Sequence, residues 1–373
     1  MLLNHIYIRA YSSKESKKIS FVIYLFLLVF GISRLVAQDP VFSQYYAAPS
    51  FLNPGMISDV QGLEVTINSR LNTNKEFSQY NLNHVTIAVP LNMAFLYGPG
   101  MRHDHRTGLA LSAYREATGN ENGKLNTLGF ILSFSHCIQL QREHYLSLGI
   151  QGGYVNKHIS DDFMWGSQYV EDYGYDPDII PSVSDLLNLN AHIGTISAGL
   201  VYYYNSSSML DYFKKNNFDA FLGVSVYNLN TPNQSFFDNV TSELPLQTKV
   251  HGGIKYSTNK KFYIFPNMLW VHQNGNNQIN IGAYTNIRTF KSSKEDGNNF
   301  NTILGVWYRF GDSFIASLGT HIGQFKFAVS YDFNTSNFKI NNHGKGTCEI
   351  SLKYSIVNAK NKRLERGLIY PSF

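Results

Sequence analysis

From about residue 62 onward the chain repeats one pattern, in which apolar and polar residues alternate over short segments. Leu63, Val65 and Ile67 alternate with Glu64, Thr66 and Asn68; Val85, Ile87, Val89 and Leu91 share one face of 83–92. The pattern returns in 109–113, 128–134, 146–151, 196–204, 220–226, 250–256, 279–286, 304–310, 314–319, 325–333 and 348–356. The segment 262–272 is apolar on both sides and completes a set of about fourteen. Side chains of a strand point alternately to opposite faces, so period two predicts strands with one apolar face. Segments such as 325–333 and 348–356 exceed the usual strand of about 5–6 residues. They match the roughly 9–11 that cross a bilayer at a tilt.

Composition decides which sheet this is. Charged residues are 15% of the chain, against a usual share of roughly 25%. Aromatics reach 14%, which excludes a disordered chain. Two cysteines in 373 residues exclude a disulfide scaffold. Low charge with many Tyr, Phe and Gly fits strands that face lipid on one side and a polar lumen on the other. The expected fold is all-β: a transmembrane antiparallel barrel of about fourteen strands, an even number as closure in a bacterial outer membrane requires.

The first residues agree. Lys14, Lys17 and Lys18 precede an uncharged apolar run, Ile19 to Ile32, and Ala37 stands before polar Gln38. That is the layout of a secretory signal peptide, 1–37, cleaved after Ala37; a retained anchor is the alternative. The run is shorter than the roughly 20 residues of a membrane helix. The barrel is expected over 62–357. With both its ends in the periplasm, short turns fall at 140–143, 258–260 and 322–324 and longer loops at 71–82, 156–188, 229–245 and 335–344. The long junctions 93–105 and 205–217 depart from that rule.

Two segments lie outside the strands. The segment 38–61 carries Pro40, Pro49 and Pro54 and does not alternate, which disfavours a central strand. Phe42, Tyr45, Tyr46, Phe51 and Leu52 make it apolar, so it is expected to plug the periplasmic mouth, with Asp39 and Asn53 bonded to lumen side chains; a disordered leader is the alternative. The tail, 358–373, carries Lys360, Lys362, Arg363 and Arg366 and is expected in the periplasm.

Few motifs carry chemistry. Asp161, Asp162, Asp172, Asp176 and Asp178 concentrate in one loop and are weak candidates for a Ca²⁺ site, though without EF-hand spacing; a solvated extracellular loop is the favoured reading. His103-Asp104-His105 lacks a third ligand, and Gly119–Lys124 is one residue short of a phosphate loop. No Gly-x-Ser-x-Gly elbow occurs, and no catalytic residue or cofactor is expected. The net charge of +5 owes much to the first 34 residues and no basic stripe interleaved with aromatics appears elsewhere, so no nucleic-acid partner is expected. Lys326 and Asp332 share the lumen side of one strand, as do Glu349 and Lys353 of another, and are expected to pair across strands. Cys137 has lumen parity and Cys348 lipid parity, so no disulfide is expected.

The stretch Gln38-Asp39-Pro40-Val41-Phe42-Ser43-Gln44-Tyr45 with Leu52-Asn53-Pro54-Gly55 resembles the opening of the PorP/SprF family of type IX secretion and gliding-motility outer-membrane proteins. The resemblance continues in Phe221–Leu229, Thr231-Pro232, Tyr308-Arg309, Ser330–Ser336 and Cys348–Leu352. Leu71-Asn72-Thr73 departs from the Asn-Gln-Trp usual there. The resemblance implies an outer-membrane location in a Bacteroidota-type bacterium. It also implies partners: membrane lipid, components of the type IX machinery, and a large adhesin-like cargo protein exported or attached at the surface. A plugged transport barrel for small solutes is the other reading.

Overall fold

The computed structural model describes residues 41–72, 79–91, 105–120, 123–141, 143–160, 166–176, 178–179, 189–205, 217–237, 239–259, 262–290, 300–335 and 346–356. The segment 1–37 expected to be a signal peptide, Asp39, Pro40, Asp161, Asp162 and the basic tail lie outside them. The described strands are β1 (Leu63–Asn72), β2 (Gln79–Leu91), β3 (Arg106–Asn120), β4 (Gly123–Gln141), β5 (His144–Ile159), β6 (Tyr169–Val170), β7 (Gly174–Tyr175), β8 (Asn190–Asn205), β9 (Asn217–Tyr227), β10 (Gln247–Asn259), β11 (Phe262–Gln273), β12 (Asn276–Phe290), β13 (Phe300–Arg309), β14 (Ser313–Ile322), β15 (Phe325–Asn334) and β16 (Thr347–Ile356).

Every strand but β6 and β7 belongs to one closed antiparallel barrel. Closure comes from β1 and β16, paired from Leu63 opposite Ile356 to Asn72 opposite Thr347. Each alternating segment of the sequence lies in a wall strand. We call the rim that carries Leu63 and Ile356 the basal rim and the opposite one the far rim.

The turns explain where length alone misleads. Short links occur on both rims: 274–275 and 310–312 at the far rim, 323–324 at the basal rim. Asn274 and Gly275 have φ of 48° and 80°, the left-handed pair that a two-residue hairpin turn needs. Local turn chemistry, not membrane side, therefore sets these lengths. The long junctions 92–105, 206–216 and 291–299 all fall at the basal rim.

The outer wall is apolar. Ile150, Leu132, Leu222 and Leu318 are each more than half exposed, and a continuous surface of this kind requires lipid. Aromatic side chains gather toward strand ends, with Tyr308 against Phe310 and Tyr331 against Phe333 at the far rim and Phe325 against Tyr354 at the basal rim, as interfacial belts do. Among the described residues no helix is long and apolar enough to cross a membrane. Cys137 is buried on the lumen side, Cys348 stands on the outer face, and the two are not joined in a disulfide.

Leu352, on the outer face of β16, tests this assignment. Leu352→Arg should cost about 2–4 kcal/mol near the midplane, read as a lowered midpoint in heat-modifiable gel mobility. The neighbouring Ser351 does not offer the wet, tolerant lumen expected of a polar face, because it is buried. Ser351→Arg should therefore also destabilise.

Candidate functional site: the filled lumen

The lumen is occupied by the chain's own residues 41–60. They form three short helical turns, Tyr45–Ala47, Pro49–Leu52 and Pro54–Asp59, the last two started by a proline. An irregular segment can be buried only if its main-chain groups find partners. The lumen side chains supply them. Asn68 donates to the Ala47 carbonyl (3.0 Å), Tyr227 to Ser50 (3.1 Å), Lys249 to Phe51 (2.5 Å) and Ser225 to Leu52 (2.7 Å). Ser135 and Ser147 both donate to Gly55, at 3.0 and 2.6 Å. The polar face of the alternating strands is thus a hydrogen-bonding surface for buried backbone.

The segment is not confined to the basal mouth, where the sequence placed it. Asp59 pairs with Arg106 at 3.0 Å, at the basal start of β3. Val41, Ser43 and Gln44 lie instead beside the far ends of β1, β13, β15 and β16. The Ser43 and Gln44 amides donate to the two Glu349 carboxylate oxygens at 2.8 and 2.9 Å. The Ser43 hydroxyl donates to Asp332 and accepts from Arg309, both at 2.5 Å. Gln44 Nε2 donates to Ser330 at 3.0 Å. Arg70 donates to the Val41 carbonyl at 2.5 Å and lies 3.3 Å from Glu349 and 3.7 Å from Asp332. Arg309 reaches Asp332 at 3.2 Å and Asp312 at 2.8 Å. Two buried carboxylates and two guanidiniums are therefore arranged around one serine.

A second anchor lies deeper. Asn53 Nδ2 is 3.1 Å from the Leu200 and Val224 carbonyls and from His251 Nε2. Its Oδ1 accepts from the Gly55 amide at 2.9 Å, and Pro54 starts the next turn. Tyr45 donates to Asn267, which also accepts from Trp307 at 2.9 Å. Tyr45, Tyr46, Leu52 and Met56 pack against Tyr203, Phe221, Phe265, Leu269 and Trp307. This explains why β11 is apolar on both faces: Phe265, Leu269 and Val271 are buried against the segment. Phe42 meets Phe51 edge to face and tilts against His84. A large-to-alanine change at a buried aromatic costs about 3–5 kcal/mol. Phe42→Ala with Tyr45→Ala should therefore loosen the segment while the closed wall persists, measured as faster protease cleavage within 41–60.

The remaining candidates separate. Lys353 pairs with Glu64 at 2.5 Å, and its cross-strand neighbour on β15 is Lys326. The two carboxylates expected to pair with these lysines face the far-rim arginines instead. Asp172, Asp176 and Asp178 lie in and after the small β6–β7 hairpin; Asp176 accepts from the Asp178 amide at 2.9 Å. Among the described residues no three His, Cys, Asp or Glu side chains are placed to hold a metal ion.

Above the segment, the far mouth holds a cavity of about 420 Å³, floored by Ser50 and Phe51 and roofed by Gln234, Leu244 and Pro245.

The family model for the type IX secretion system membrane protein PorP/SprF matches residues 35–354. The chain belongs to this family. It is an outer-membrane β-barrel, and family membership supports association with the secretion machinery. No curated protein matches. Solved barrels resemble it in fold alone. The toluene transporter TbuX of Ralstonia pickettii shares 10% identity over 83% of this chain and 94% of its own, with a TM-score of 0.45. A TodX monoaromatic hydrocarbon channel mutant shares 8% over 83% and 94%, at 0.47. The translocator domain of the autotransporter NalP from Neisseria meningitidis shares 10% over 79% and 87%, at 0.36.

Arg70, Arg309 and His251 complete the anchors and were missed by sequence reasoning. Arg70 and Arg309 do carry a signal: each is a charged residue on the polar parity of a membrane strand, a costly placement that asks for a buried partner.

Proposed function

We propose that this PorP/SprF-family barrel is a non-enzymatic component of the type IX secretion system that supports export or cell-surface attachment of an adhesin-like cargo protein. One observation carries the reading: residues 41–60 run through the lumen from basal rim to far rim, anchored by Glu349 at one end and the Asp59–Arg106 pair at the other. Such a barrel works through the surfaces it presents. Its partners are the lipid around its wall, the secretion machinery and the cargo.

The test is deletion of the gene followed by an inventory of surface-exposed proteins. The expected result is loss of one or a few large surface proteins with unchanged uptake of small solutes. The transport reading has its own support in the far-mouth cavity of about 420 Å³, within the size range of small-molecule sites. An unchanged surface inventory with lost growth on a solute would favour it.

A further inference from the structure

Among the described residues, the longest stretch of wall strand left unpaired on one side is in β8. β8 runs from Asn190 to Asn205, but β9 pairs with it only from Ala198 to Asn205. Between Ala191 and Ser197, β8 is paired on its β5 side alone. The main-chain groups of Gly194 and Ile196 point to the open side. The Leu229 amide donates to the Ile196 carbonyl at 2.8 Å. The Asn230 side chain accepts from the Ile196 amide at 3.0 Å and donates to the Gly194 carbonyl at 2.7 Å. One asparagine amide thus imitates the first peptide group of a missing strand. By strand parity His192 faces the same way. Among the described residues no main-chain partner meets the His192 or Gly194 amide.

Such an edge is a template for another chain. The space on both sides of it sharpens the case. On the lumen side Ile193, Thr195 and Ser197 face the cavity of about 420 Å³. On the outer side Gly194 and Ile196, with Phe130 and Tyr154, line a groove of about 530 Å³. Ile131 and Thr195 border both spaces. A strand added here would send alternate side chains into the cavity and into the groove, the arrangement in which main-chain bonds give affinity and alternating pockets give specificity.

We propose that the open edge of β8 at residues 192–194 docks an extended segment of the partner polypeptide, antiparallel or parallel, with apolar or aromatic residues at alternate positions. Val155, Ile193 and Leu244 in the cavity and Phe130 and Tyr154 in the groove set that preference. The inference rests on the reading that the barrel works by holding a partner protein.

The test uses the full chain in intact cells. A photo-crosslinking residue is placed at His192 and, separately, at Gly194, and the crosslinked peptides are sequenced by mass spectrometry. Docking by strand addition predicts one partner segment, with the crosslinked position moving about two residues along it between the two sites. Crosslinks into residues 160–189 of this chain, which would mean that its own loop covers the edge, or crosslinks without register, would overturn the inference. In parallel, His192→Pro removes an edge donor while His192→Ala keeps it. Proline should lower the displayed partner about tenfold and alanine by less than about twofold, with heat-modifiable mobility retained in both. Equal effects would count against main-chain docking. If the proline variant does not assemble, the crosslinking register decides alone. Loss of a surface protein on gene deletion but not with His192→Pro would sink this inference and leave the proposed function standing.

Discussion

Glu349→Ala should destabilise the folded barrel by about 3–5 kcal/mol, the cost of breaking a buried ion pair by removing one partner. The carboxylate accepts the Ser43 and Gln44 amides and lies 3.3 Å from Arg70. Without it, two buried donors and part of a buried guanidinium charge lose their acceptor. Glu349→Gln should cost less, because one oxygen remains to accept. The measurement is denaturant unfolding in detergent, followed by gel mobility. A double variant, Arg70→Met with Glu349→Met, should recover much of the loss, because well-packed apolar replacement of a buried pair is often neutral. Strong non-additivity in that cycle is the mark of direct coupling.

The second large effect is steric. On β5, a side chain at Gly149 would run into the backbone of Pro54 and Gly55, and on β8 one at Gly199 would strike the side chain of Asn53. The wall is shaped around the segment at these points. Gly149→Val should therefore prevent the wall from closing around 41–60, giving little or no heat-modifiable species. Gly152→Val, on the same strand but with open space around it, should assemble normally. Equal yields from the two variants would contradict the close approach of wall and segment. The contrast also bears on what the segment is. A removable stopper needs clearance, whereas Asn53–Gly55 fits into notches without any.

Much of this was legible in the sequence, and the rest was not for identifiable reasons. Period-two alternation fixes the faces because side-chain direction is a geometric property of a strand. That places Leu352 against lipid and Glu349 inside. The luminal role of Phe42, Tyr45 and Asn53 follows from an apolar, proline-bearing segment that has no strand to join. Its path through the barrel does not follow. The partners of Ser43 and Gln44 are Glu349 and Asp332, about 300 residues away, and a hydrogen bond to backbone leaves no periodic trace. Turn lengths misled because Asn274-Gly275 closes a hairpin tightly wherever it stands. The open edge of β8 is invisible in sequence, since it depends on where the neighbouring strand stops.

We read the barrel as a closed platform, with residues 41–60 running through its lumen. Single-channel recording of the intact protein in a planar bilayer tests this most directly. The native chain should show no steady conductance, and discrete conductance should appear once Asp332→Ala and Glu349→Ala together release the far end of the segment. A stable open channel in the native protein, of the size an unfilled fourteen-strand barrel would give, would contradict it.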